Sequence, residues 1–127
     1  MRMIFIVLLA AHGLAHLPGF IGGWRLANLR EMPYHTTVFA GHVDIGDAGM
    51  RIAGAVWLLL AVGFETAAVG GMLHRTWWGP LTAVVATVSL CLCIIQYPDA
   101  RIGIVINIVI LCMLAVGQYM ALARGIA

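Results

Sequence analysis

The chain has 127 residues, enough for one domain, and 63% of them are hydrophobic while only 9% are charged. With a mean hydropathy of +1.03, a soluble domain of this size has no interior large enough for so much apolar surface, so lipid is the expected solvent. All seven basic residues are arginines, they form no basic stripe, and nucleic acid is excluded as a partner.

Four segments are long enough to cross a hydrocarbon core, which takes about 20 residues. The first, Met3–Trp24, begins behind Arg2 like a secretory leader, but its apolar run continues past position 20. A retained first span is therefore expected. It carries His12 and His16, one helical turn apart and on one face. Ionisable groups inside such a segment are costly and face protein or water rather than lipid. Pro18 removes a backbone donor and obstructs the carbonyl of Leu14, so a kink is expected beside His16. Ala11, Ala15, Gly19 and Gly23 recur every fourth residue as a ridge for close helix approach.

A long polar connection, Arg25 to Asp47, follows. Its stretch from Glu31 to Thr37 is too polar to span and is expected at the interface. His42 and Asp44 come later in it, and Asp47 is placed to cap the second helix. The second span, Ala48–Met72, carries Glu65 and a second small ridge of Gly63, Ala67 and Gly71.

The third span, Gly79–Tyr97, has a small, polar face of Thr82, Ala86, Ser89, Cys93 and Gln96. Cys91 and Cys93 point to nearly opposite sides and make a poor metal pair. After the Pro98-Asp99-Ala100 turn, the fourth span, Arg101–Ala123, carries Asn107 and Gln118 on one face. Trp24, Trp77, Trp78 and Tyr97 mark span ends, as interfacial aromatics do. Arginines number three at one end and four at the other, which leaves membrane orientation open.

Short turns and small-residue ridges predict an all-α integral membrane protein, an antiparallel four-helix bundle with a long first loop. A rise of ~1.5 Å per residue puts His16 and Asn107 at similar depth below the loop end. A polar cavity is expected there, lined by His12, His16, Gln96, Asp99 and Asn107, with His42 or Asp44 from the loop. Glu65 and Gln118 form a second polar layer in the opposite half. His12 and His16 can hold zinc or copper if other helices add ligands; otherwise they form a hydrogen-bonded network or a proton or small-molecule site. Haem is disfavoured, because one helix face cannot supply both axial ligands and the other spans contain no histidine. Glu65 either serves a transporter or pairs locally.

The run His12-Gly13-x-x-His16-x-x-Gly19-Phe20 resembles the opening of a group of small bacterial four-span membrane proteins of uncharacterised function. Pro98-Asp99-Ala100-Arg101-x-Gly103-x-x-x-Asn107 resembles their last span, and Gly46-Asp47-Ala48-Gly49-x-Arg51-x-x-Gly54-x-x-Trp57 resembles the second-span opening of an actinobacterial branch. The resemblance implies one constellation of His12, His16, Asp99 and Asn107, and a bacterial inner-membrane location. The architecture is also similar to DoxX-like bundles, some linked to quinone-coupled sulfur oxidation, although the acidic match at Trp57 is missing. The functional expectation is a metal- or small-molecule-binding membrane protein, with a redox or a transport role built on that site. The alternatives are an accessory subunit of a larger membrane complex and a small transporter acting as a homo-oligomer.

Overall fold

The structure is a computed structural model that describes residues 2–30 and 32–125. Met1 and Glu31, and the side chain of Arg124, lie outside that description. The chain is all-helical apart from one two-stranded hairpin. In order it forms α1 (Arg2–Leu14), α2 (Leu17–Gly23), β1 (Thr37–Val38), β2 (Val43–Asp44), α3 (Gly46–Met72), α4 (Trp78–Ile95) and α5 (Arg101–Gly125). Among the described residues four stretches are long and apolar enough to cross a membrane: Arg2–Gly23, Gly46–Met72, Trp78–Ile95 and Arg101–Ala123.

The first stretch is two helices rather than one. Pro18 carries no N–H to continue the ladder, and its ring collides with the carbonyl four residues back. The chain responds by tightening, with His16 N–H bonded to Gly13 O and Gly19 N–H to His16 O, both at 3.1 Å. His16 therefore sits at the break itself, ahead of a proline in the first turn of α2.

This break also changes the packing ridge. Ala11 and Ala15, expected to face a neighbouring helix, are exposed. The close approach is made by Gly13, Gly19 and Gly23 instead. A Cβ on Gly19 would lie 2.5 Å from Trp57 Cγ, and one on Gly23 would lie 2.7 Å from Met50 O. On α3, Gly63 meets Val85 and Gly71 meets Ile6, so that helix lies between α1–α2 and α4. α4 then packs on α5. Trp57, early in α3, bonds Gln96 at the end of α4, and Cys93 lies against Gly103 at the start of α5, so these neighbours run antiparallel. Phe5, Ile6, Leu9, Phe64, Ala86 and Ile110 form the centre of the apolar core.

The long loop is pinned by two devices. Arg25 pairs with Asp47 and lies over the Tyr34 ring, 4.1 Å from its centroid, while the Tyr34 hydroxyl donates to Asp47 at 2.6 Å. Asp47 is thus inside the first turn of α3 and does not cap it; Ile45 holds the cap position without a side-chain bond. A carboxylate there still suits the positive end of the helix dipole. The hairpin pairs Thr37 with Asp44 and Val38 with Val43. Its turn runs through Phe39, Ala40 and Gly41 at positive φ, and aims N–H groups at the open end of α4. Phe39 donates to Ile95 O at 2.8 Å and Ala40 to Tyr97 O at 2.9 Å, satisfying carbonyls at the end of α4.

Gly23 is the position where a side chain has least room to move, because its neighbours are the backbone of Met50 and Gly54. Gly23→Val is expected to lower stability by about 1–3 kcal/mol, as overpacking does. Gly22→Ala, with nothing within 4 Å of the added carbon, is expected to be neutral or better. Thermal denaturation of the detergent-solubilised variants checks the pair.

Candidate functional site

Among the described residues five polar side chains are buried in the bundle, and four of them meet. His12 is 4% exposed, His16 2%, and Ser89 and Asn107 0%. α1 and the break after it bring the histidines, α4 brings Ser89 and α5 brings Asn107. α3 supplies the walls: Phe64 lies edge-on to His12 at 4.9 Å between ring centroids, and Trp57 lies against His16 at 4.9 Å. Gly103 lets α5 come close, since a Cβ there would sit 2.6 Å from Cys93 Sγ.

The hydrogen bonds have one consistent direction. His16 Nδ1 lies 2.6 Å from the His12 carbonyl, which only accepts, so the proton is on Nδ1. With a neutral ring, His16 Nε2 then accepts from the Ser89 hydroxyl at 2.8 Å. Ser89 Oγ accepts in turn from Asn107 Nδ2 at 2.8 Å, whose other proton goes to Gly103 O at 2.9 Å. Asn107 Oδ1 accepts from His12 Nε2 at 3.2 Å. The circuit closes on α1, where it began. Its one remaining site is His12 Nδ1, which has no partner. On this tautomer that nitrogen is a bare lone pair, and an unmet acceptor is better tolerated than an unmet donor.

Such a cluster has little left to offer a metal. Three of the four ring nitrogens are engaged, and among the described residues no group of three His, Cys, Asp or Glu side chains is placed to hold an ion. Zinc or copper at His12 and His16 therefore lacks its further ligands.

The other expected cavity residues lie elsewhere. His42 is exposed in the hairpin turn, with Nδ1 donating to Phe39 O at 2.6 Å. Asp44 is also exposed and accepts from Gly46 N–H at 2.9 Å. Its carboxyl is held below the usual range by the Thr36 hydroxyl and by that N–H. The hairpin carries both beyond the helix ends. Glu65 lies beside Gly13, with one oxygen buried and unpartnered, in a groove of about 400 Å³ between α1 and α3. Gln118 lies on an exposed flank of α5, along a different groove. These two do not form a layer.

Gln96 and Asp99 do converge, at the loop end and with His35 from the polar stretch of the long loop. His35 Nε2 lies 2.6 Å from Asp99 Oδ2, and Thr37 Oγ1 lies 3.3 Å from His35 Nδ1. Beneath this pair is a cavity of about 40 Å³ lined by Gly19, Gly22, Tyr34, His35, Gln96 and Asp99, with room for a few water-sized groups. A wider opening of about 270 Å³ next to it shares His35, Thr37 and Gln96. Gln96 is oriented by Trp57, whose indole N–H donates to Oε1 at 2.8 Å. Its Nε2 is consequently the free end of the amide, buried and without a partner. The Trp57 ring separates this floor from His16. The arrangement can hydrogen-bond an acceptor atom through Gln96 and exchange a proton at His35–Asp99. His35 had no helical spacing to single it out; only its position before the β-prone Thr37-Val38 pair hints at a fixed place.

No family model, curated protein or solved structure matches the chain.

Ser89 and Asn107 share one bond, so removing either strands the other and a histidine. Ser89→Ala and Asn107→Ala are each expected to destabilise by about 1–3 kcal/mol, the range for an unmet buried polar group. The double variant is expected to fall short of their sum by at least about 0.5 kcal/mol, the coupling of groups in one network. Denaturation of the four proteins in detergent measures it.

Proposed function

We propose that the chain is a single-domain, four-span protein of a bacterial inner membrane that binds a small polar molecule at the loop end of its bundle. Membrane insertion is supported by four sufficiently apolar helices whose outer faces carry Ile4, Leu59, Ile102 and Tyr119, all well exposed. The bacterial placement rests on the likeness of His12–Phe20 and Pro98–Asn107 to uncharacterised four-span proteins, with a DoxX-like architecture.

The observation that carries the binding reading is the Gln96 amide. A buried N–H donor without an acceptor costs about 1–3 kcal/mol, and a ligand oxygen seated on it recovers that loss. A neutral carbonyl or hydroxyl compound suits the site, since the free donor is an uncharged amide and the Asp99 carboxyl that also lines the cavity is already hydrogen-bonded to His35. The histidine cluster behind Trp57 then acts as a polar clamp that fixes helix register and holds the floor of the cleft.

A second reading is an accessory subunit of a larger membrane complex, favoured by the closure of the histidine cluster. In that case the polar residues fix register and nothing more.

Saturation-transfer NMR with small neutral carbonyl compounds, N-methylacetamide and cyclohexanone among them, separates the two. Wild-type protein is expected to give a binding signal. Gln96→Glu keeps an acceptor for the Trp57 indole but removes the amide donor, and is expected to abolish that signal with Trp57 fluorescence unchanged. No wild-type signal, or an equal signal from the variant, would favour the subunit reading.

A further inference from the structure

The end of the bundle away from the loop has a different chemistry. In the sequence it carries Arg2, His74, Arg75 and Arg124, and the nearest acidic side chain is Glu65, about two turns inside α3 along the separate α1–α3 groove, whereas Glu31, Asp44, Asp47 and Asp99 all belong to the loop end. Among the described residues Arg2 meets no carboxylate. Its guanidinium lies instead on the His74 ring, with Nη1 2.8 Å from Nδ1 and Nη2 2.5 Å from Nε2. A neutral imidazole accepts at only one of its nitrogens, so His74 offers the guanidinium a single acceptor and no negative charge. The cation is short of an anion.

Next to it the bundle is open. Among the described residues Leu114 is the last buried one of α5, and positions 115–123 are all exposed. Between this stretch of α5, Phe5 of α1 and Trp78 of α4 runs a groove of about 640 Å³, with Arg2 at its α1 end and Met113, Gly117 and Gln118 along the α5 wall. Its walls are mainly apolar.

We infer that this groove seats an acyl chain of an anionic phospholipid whose phosphate rests on Arg2. The inference depends on the membrane reading above. A guanidinium binds phosphate through paired, charge-assisted hydrogen bonds, and a tail along Met113 and Gly117 restores the dispersion contacts that an empty groove forfeits. Gln118 lines the same groove from the α5 wall, six residues inside Arg124, where it can donate to an ester carbonyl. A second copy of this chain in the same orientation is a poor occupant. It would bring its own arginines, and no carboxylate, to the same level, and like charges across an interface are unfavourable.

The test is a titration of delipidated protein in neutral detergent, read as the shift in melting temperature. The probes are dioleoyl phosphatidylglycerol, dioleoyl phosphatidylcholine and glycerol 1-phosphate. Phosphatidylglycerol is expected to stabilise at the lowest concentration, and glycerol 1-phosphate to have no effect. Arg2→Gln is expected to weaken the phosphatidylglycerol effect about fivefold, as one arginine at an anionic surface would, and to leave phosphatidylcholine unchanged. Gly117→Leu, at a position where an added Cβ meets nothing within 4 Å, is expected to fold and to weaken both lipids, with the melting transition of the lipid-free variant checking its fold. Equal effects of the two lipids on wild type, or a preference that survives Arg2→Gln, would overturn the site. An effect of glycerol 1-phosphate matching that of phosphatidylglycerol would remove the acyl chain from it. Dimers trapped by a bismaleimide at exposed Cys112, with no response to lipid, would assign the groove to a second copy and overturn it too. Release of the chain from membranes by alkaline carbonate would sink the membrane reading itself, and this site with it, whatever the titration gave.

Discussion

Where water does not reach, a polar group must find its partner within the protein, and at the centre of this bundle four side chains meet that demand with one circuit. His12, Asn107, Ser89 and His16 pass hydrogen bonds in a single direction, ending on the carbonyl of His12. In a low-dielectric interior such bonds strengthen one another, and the loss of one leaves a costly unmet group. The circuit therefore fixes the relative rotation and height of α1, α4 and α5 more tightly than apolar packing does. Other local features serve it. The Pro18 break places His16 off the regular helix, Gly103 lets α5 approach, and Phe64 and Trp57 close the sides.

A cluster so fully occupied is poorly suited to turnover. Chemistry moves to where valences remain open, which is the loop end. There the hairpin lends its N–H groups to the last carbonyls of α4 and so becomes an extension of that helix rather than a free loop. This places His35 on Asp99, and both above an amide already oriented by Trp57. The cleft and the circuit share a wall: Trp57 faces His16 on one side and binds Gln96 with its edge. Damage to the circuit should consequently be felt in the cleft.

Much of this was legible in the residues. Hydropathy located the four apolar stretches to within a few positions, because burial in lipid or core demands long uninterrupted runs. Depth counting along the helices brought His12, His16 and Asn107 together, since ~1.5 Å per residue is a reliable ruler within one helix. The same ruler failed for Glu65 and Gln118, because equal depth says nothing about which way around the bundle a side chain points. It also failed for the Ala11–Ala15 ridge, whose phase holds only if the helix continues through Pro18. The loop was the least legible part. Its turn places Phe39 and Ala40 at positive φ, a conformation that neither residue favours and that only the waiting carbonyls of α4 make worthwhile. That contact sets His42 and Asp44 outside the cavity and His35 on its rim, a placement that no spacing within the loop encodes.

The direction of the circuit is the claim on which the rest stands, and the two imidazoles report it separately. Nitrogen-15 NMR of histidine-labelled protein in detergent micelles gives the tautomer of each ring. Opposite tautomers are expected, with the proton on Nε2 in His12 and on Nδ1 in His16, and both rings protected from exchange with bulk water. The same tautomer at both positions, or rapid exchange with water at either, would contradict a closed circuit and return the histidines to the role of an open, chemically available site.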